Sequence, residues 1–286
     1  MTVPAPALAI LAMLSVQLGA ALSVGLFDAV SPAGTVWLRL CFAGLVLVVV
    51  CCPRPASLSG MARRSVLLLG VASAVMTLAF IEAVARVPLG VAVAVEFLGP
   101  LAVAAVRSPR RSALTWPTLA LVGVLGLSEP WGGEVNLAGI LFAMFAAAGW
   151  AAYIVLTQQV GAALPGMQGL ALSIPLAALI ATPFGAPAAL TALTPMIALQ
   201  CLGLALLLPL LPYVLELQAL RWMTASAFGT LMAVEPAIAV LVGLVVLMQV
   251  PALWQVAGMV LVVIAGIGAE QQARRHTSTP LAVGTA

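Results

Sequence analysis

The sequence predicts an all-α integral membrane protein: ten transmembrane helices forming two inverted five-helix repeats. Three observations lead there. The 286 residues are 64% hydrophobic and only 7% charged, with a mean hydropathy of +1.23, whereas a soluble domain carries about 25% charged residues. Ten apolar runs each approach the roughly 20 residues that cross about 30 Å of hydrocarbon. Polar residues also recur between the two halves of the chain at a nearly constant offset.

The runs lie at about 5–26, 33–52, 65–85, 88–106, 113–129, 137–157, 167–187, 195–218, 224–248 and 250–269. The first lacks a basic leader segment and is too long for a signal h-region, so it is expected to stay as a helix. Short breaks with turn or charge signals separate the runs: Asp28 to Pro32, Pro53 to Arg64, Arg107 to Arg111, and Pro130 to Asn136. The tightest reversals fall near 85/88 and 218/224. This divides the chain into a first repeat at 1–130, a second at 131–270 and a polar cytoplasmic tail at 271–286.

There is no Lys, one His (His276) and one Asp (Asp28), and the net charge of +3 rests on eleven Arg. Such a chain has no basic nucleic-acid surface, and it shows no metal-ligand cluster or cofactor motif. Cys41, Cys51, Cys52 and Cys201 sit in or beside apolar runs without disulfide or metal spacing, so they are expected to pack as small hydrophobes.

Arg placement sets the orientation. With the N-terminus in the cytoplasm, Arg54, Arg63, Arg64, Arg107, Arg110, Arg111, Arg221, Arg274 and Arg275 all fall inside. Only Arg86 then lies outside, with Asp28, Glu129 and Glu134, while Arg39 is within the second span. Both termini are therefore expected in the cytoplasm.

The internal repeat matches Phe80, Glu82, Ala85, Arg86 and Pro100 with Tyr213, Glu216, Ala219, Arg221 and Pro236, at offsets of 133 to 136. Glu96 and Glu235 are 139 apart, about one turn out of register. Five spans per half is an odd number, so the second half enters the membrane upside down. In secondary transporters of this kind the substrate site lies near the midplane between the halves.

Ionisable groups in hydrocarbon cost roughly 2.5–3.5 kcal/mol each on insertion scales, so they tend to face a cavity and act there. Glu96 is about 12 Å along its helix from Pro88 at 1.5 Å per residue, near mid-depth. Pro100 has no N–H and leaves the Glu96 carbonyl without its helical partner. Glu235 is at similar depth, and Pro236 likewise frees the carbonyl of Met232. Each acid can bind a substrate amine or take up a proton; the plainer alternative is a hydrogen bond that glues two helices.

Glu216 lies nearer the cytoplasmic end of its span, where it can also snorkel. Glu82 and Arg86 read as a surface ion pair. Arg39, about 9 Å deep by helical rise, can bind a carboxylate or pair with a Glu, and the pairing is the first expectation. Gln17, Trp150, Tyr153 and Tyr213 supply polar edges to a cavity, or else simply pack. The fourth and ninth spans are expected to line that cavity.

These residues bring a family into view. PLGVAVAVEFLGPLAV at 88–103 and FGTLMAVEPA at 228–237 resemble the bacterial threonine/homoserine exporters of the drug/metabolite transporter superfamily, built from two EamA repeats. The resemblance runs from Gln17-Leu18-Gly19-Ala20 through Trp37-Leu38-Arg39-Leu40 and Gly149-Trp150-Ala151-Ala152-Tyr153 to Pro212-Tyr213 and Glu216. It implies ten helices, an inner-membrane location, and proton-driven export of small neutral amino acids. Four positions depart from the family pattern, namely Val24, Thr77, Ile81 and Gln249, which bears on the cargo rather than the fold.

Residues and resemblance together suggest an alternating-access exporter of threonine, homoserine or similar amino acids. Glu96 is its principal carboxylate, and Arg39 is a carboxylate partner or counter-ion. One rival is a superfamily member with another cargo, such as a cationic drug, for which Trp150 and Tyr153 near an acid would form a cage. An intramembrane transferase would want a metal or a His/Asp base at the membrane face. His276 in the tail and Asp28 in an outer turn serve that poorly.

Overall fold

The computed structural model describes residues 4–53, 59–107, 114–128, 136–164, 167–222, 228 and 231–277. Among these the regular structure is entirely helical. Helix α1 spans Ala5–Val24, a short α2 Phe27–Val30, α3 Pro32–Cys51, α4 Gly60–Val84, α5 Leu89–Glu96, α6 Leu98–Arg107 and α7 Thr115–Ser128. Then follow α8 at Leu137–Ala163, α9 at Gln168–Ala192, α10 at Pro195–Ala205, α11 at Leu211–Trp222, α12 at Glu235–Val246 and α13 at Leu253–Thr277. Seven helical stretches are long and apolar enough to cross a membrane, and Thr115–Leu127, Glu235–Val246 and Leu253–Ala269 are shorter apolar helices.

Several boundaries differ from the sequence expectation for local reasons. Helix α4 begins at Gly60, not 65, because the Ser59 hydroxyl accepts from the Ala62 N–H at 3.3 Å. This is an N-cap, and it moves Arg63 and Arg64 from a loop into the first turn, where both are exposed. Between the first two runs the chain forms α2, with Asp28 in its first turn, rather than a bare turn. The last helix continues to Thr277 beyond the expected end at 269, and within that extension Gln272 Oε1 accepts from Trp116 Nε1 at 2.5 Å. Arg54, Arg110, Arg111, Glu129 and Glu134, and the tail from 278 onward, lie outside the described residues.

The helices pack in pairs: α3 along α9, α4 along α8, α7 along α13, α1 along α11, and α5 against α12. Glycines set the closest approaches. At the α7–α13 crossing a Cβ on Gly123 would come 2.6 Å from the Gly258 carbonyl oxygen, so only small residues let these backbones meet. The outward faces carry Leu45, Val49, Val71, Phe145, Leu179 and Val245, all exposed, as expected of surfaces solvated by lipid. Cys201 is buried, Cys41 and Cys51 are partly buried and Cys52 is exposed, all as free thiols.

Among the described residues, three of the apolar runs are broken within their length. The fourth is interrupted at Phe97, directly after Glu96 and three residues before Pro100. The ninth turns at Ala233 and Val234, so Glu235 and Pro236 open α12. The eighth breaks at a π-helical turn, Leu206–Leu210, where Leu208 is extended (φ −155°, ψ 109°) and the Leu208–Pro209 bond is cis. That third break was not expected from the sequence.

Candidate functional site

A cavity of about 300 Å³ lies at the level of these breaks. Its wall brings together all eight polar and aromatic candidates from the sequence: Gln17, Arg39, Glu96, Trp150, Tyr153, Tyr213, Glu216 and Glu235. The helix-breaking Pro100 and Pro236 are absent from the wall; they act by placing Glu96 at a helix end and Glu235 at a helix start. The fourth run contributes Glu96 and the ninth Met232 and Glu235, and further lining residues come from the first, second, third, sixth, seventh and eighth runs. No lining residue comes from α7 or α13.

The eighth run reaches the cavity through its break. Where the π-turn directs the Leu211 N–H to the Leu206 carbonyl, the Leu207 carbonyl loses its helical donor. The Ser15 hydroxyl of α1 donates to it instead at 2.8 Å, which satisfies a backbone group that would otherwise be orphaned. Gly19 allows the approach, since a Cβ there would meet Leu208 Cβ at 3.0 Å. Leu208, Pro209, Leu210 and Pro212 thereby join the wall beside Tyr213 and Glu216. Breaks of this kind, including π-turns, concentrate at functional sites.

Helix α4 contributes one stripe, Ser73, Met76, Thr77 and Phe80, spaced for one helical face; of these the sequence marks Thr77 as a departure bearing on cargo and Phe80 only as a repeat position. The Thr77 hydroxyl donates to the Ser73 carbonyl at 2.5 Å, and Ser73 Oγ to the Leu69 carbonyl at 2.8 Å. Their hydroxyl oxygens can therefore still accept from a ligand. Phe97, at the fourth-run break, stacks edge-on against Trp150 with ring centroids 6.1 Å apart, a favoured aromatic geometry that holds the Trp150 ring in the wall.

The charged groups are arranged unevenly. Glu235 is 5% exposed, and its Oε1 accepts from Gln17 Nε2 at 3.1 Å. Glu235 Oε2 and Gln17 Oε1 are left without partners. Its place in the first turn of α12 also puts the carboxylate at the positive end of the helix dipole. Glu96 and Glu216 are partly buried in the same wall.

Arg39 is 2% exposed, and its Nε and Nη1 have no partner. The expected pairing of Arg39 with a glutamate is therefore not formed: no carboxylate lies within salt-bridge range of it among the described residues. Each unsatisfied buried polar group costs about 1–3 kcal/mol, and more when charged, so the cavity is poised for a polar occupant.

The ion pair that does form lies away from the cavity. Arg86 Nη1 bonds both the carboxylate and, at 2.6 Å, the carbonyl of Glu82, and its guanidinium sits 4.8 Å from the Phe142 ring centroid, a cation–π contact. On the same face Gln249 Oε1 accepts from the Leu89 N–H at 3.0 Å, which joins the start of α5 to the turn after α12. The cavity extends the other way, toward Leu47, Met167, Leu170 and Glu216 near the opposite ends of α3, α9 and α11.

Comparison with known proteins agrees with this architecture. The EamA-like transporter family model matches residues 137–268. The chain is 36% identical over 271 residues to the threonine/homoserine exporter RhtA of Salmonella typhimurium (strain SL1344), covering 93% of this chain and 91% of that one. Against the threonine/homoserine exporter RhtA of Escherichia coli (strain K12) it is 36% identical over 272 residues, covering 94% and 92%. A crystal structure of 17% identity superposes with a TM-score of 0.64 over 96% of this chain and 99% of its own, which shows a shared fold.

Proposed function

The chain belongs to the EamA-like transporter family, and from that premise we propose that it exports small neutral amino acids, of the threonine and homoserine kind, across a bacterial inner membrane. The observation that carries this reading is one cavity walled by three carboxylates, a buried arginine and polar edges, in a chain similar end to end to amino-acid exporters.

The transport cycle is alternating access between two inverted five-helix repeats at 1–130 and 131–270, with both termini cytoplasmic. The helix pairings support this. Exchanging each apolar run with the one five places later turns the contact of α1 with α11 into that of α8 with α4. It turns the contacts of α3 with α9, α5 with α12, and α7 with α13 each into itself. A two-fold relation within the membrane plane has that consequence. Under the proposed orientation the cavity faces the cytoplasm, where cargo for export is collected.

Protons drive the export, with Glu96 as the coupling carboxylate. It stands at mid-span where α5 ends, its helix is broken beside it, and the cavity reaches it. Efflux of a labelled amino-acid panel from proteoliposomes, with and without a pH gradient, tests the reading. Threonine or homoserine efflux that responds to the gradient is expected. Absence of efflux for every neutral amino acid would leave the fold standing and overturn the cargo.

A further inference from the structure

Resting on that export reading, we propose that the cavity is a zwitterion clamp: the Arg39 guanidinium takes the cargo's α-carboxylate, and Gln17 with Glu235 takes its α-ammonium.

The inference comes from which polar atoms are left unpaired. Arg39 offers two buried N–H donors, Nε and Nη1, with no partner. It is the one Arg among the described cavity-lining residues. Gln17 and Glu235, 1% and 5% exposed, are locked to each other through Gln17 Nε2 and Glu235 Oε1. Gln17 donates its NH2 to Glu235, and that turns its own oxygen away. Gln17 Oε1 and Glu235 Oε2 are then two buried acceptors without donors.

Residues of one cavity wall thus carry a cationic donor pair and an acceptor pair that do not satisfy each other. An apolar occupant would leave both sets unpaired. A cation would satisfy the acceptors and strand Arg39, and a simple carboxylate would do the reverse. A molecule bearing both charges satisfies both at once, and a free α-amino acid is the smallest that does. Arg is also the side chain whose fork matches a carboxylate in a bidentate fashion. The assignment leaves Glu96 to the proton, so that amine and proton do not compete for one group. It also separates this chain from a carrier of cationic drugs, which has no use for a buried, unpaired guanidinium.

Ligand binding to the purified protein, followed by intrinsic tryptophan fluorescence, tests the clamp with three probes. These are threonine, threoninamide (no carboxylate) and 3-hydroxybutyrate (no ammonium). The wild-type protein is expected to bind threonine at least about tenfold more tightly than either analogue, the equivalent of losing one charge-assisted hydrogen bond. Arg39→Gln should bind threonine and threoninamide equally, and Arg39→Lys should restore part of the preference. Glu235→Gln should lose the preference over 3-hydroxybutyrate while keeping that over threoninamide.

Equal wild-type binding of threonine and threoninamide overturns the proposal, as does binding of none of the three or a carboxylate preference that survives in Arg39→Gln. Should Arg39→Gln fail to fold, the wild-type ranking and Arg39→Lys decide. Threonine preference without efflux would instead sink the export reading alone, and efflux without carboxylate preference would sink the clamp alone.

Discussion

Gln17 and Glu235 stand 218 positions apart in the chain and meet at 3.1 Å in the cavity wall. One hydrogen bond therefore ties the first helix to the helix that starts after the ninth-run break. Replacing Gln17 by Leu leaves a buried carboxylate with no donor. The expected result is a loss of about 1–3 kcal/mol of stability, together with weaker cargo binding. Thermal unfolding in detergent would register the first, and an unchanged Tm would show that the pair contributes nothing to the fold.

Glu96→Gln keeps the shape of its site and removes the exchangeable proton. Gradient-driven efflux is expected to fall at least about tenfold, equivalent to 1.4 kcal/mol, while exchange of labelled for unlabelled cargo at equal pH persists. The comparison of those two fluxes in the same proteoliposomes is the measurement. Equal loss of both would make Glu96 part of the cargo site instead, and full gradient-driven efflux would end its role in coupling.

How far these features could be read beforehand depended on the kind of physics behind each. Eight polar or aromatic residues in apolar runs converge on one cavity because a charge or amide in lipid has few other places to go. Pro100 and Pro236 pointed to breaks that the structure puts within three residues of each. Proline alone was an unsafe guide elsewhere: α9 runs unbroken through Pro175, Pro183 and Pro187, whereas Pro209 breaks its run. At the Pro209 break Ser15 donates to the Leu207 carbonyl, a tertiary contact that local sequence does not reveal. The unpaired state of Arg39 was hidden for the same reason, since pairing depends on distances between helices. Thr77 stood out as a departure from the family pattern, whereas Ser73 gave no signal beyond that of a small residue at a helix crossing.

The Gly123–Gly258 crossing makes a structural prediction independent of cargo. Helices α7 and α13 contribute nothing to the cavity, and their contact is close at the backbone level. Gly258→Leu must push them apart, at about 1–3 kcal/mol for overpacking. A lower Tm with cargo affinity unchanged in the folded fraction is expected. A Tm equal to that of the wild type would mean that the crossing has room for a larger side chain.

The hydrogen bond from the Leu89 N–H to Gln249 Oε1 closes the face opposite the cavity's extension. It lies where one half of the chain meets the other, beside Gly90, whose missing Cβ leaves room for Val240. If the halves rock about the cavity, this bond exists in one state and breaks in the other, so its loss must shift the population toward the state open on that face. A net hydrogen bond of about 0.5–1.5 kcal/mol corresponds to a shift of roughly two- to tenfold. Gln249→Leu should therefore raise the labelling rate of a single cysteine placed at Leu89, which is fully buried against Gly243, on a background lacking the four native cysteines, by that factor. Gln249→Glu, which keeps the acceptor oxygen, should leave the rate near its starting value. Equal rates in the Leu and Glu variants would show that the bond takes no part in the switch.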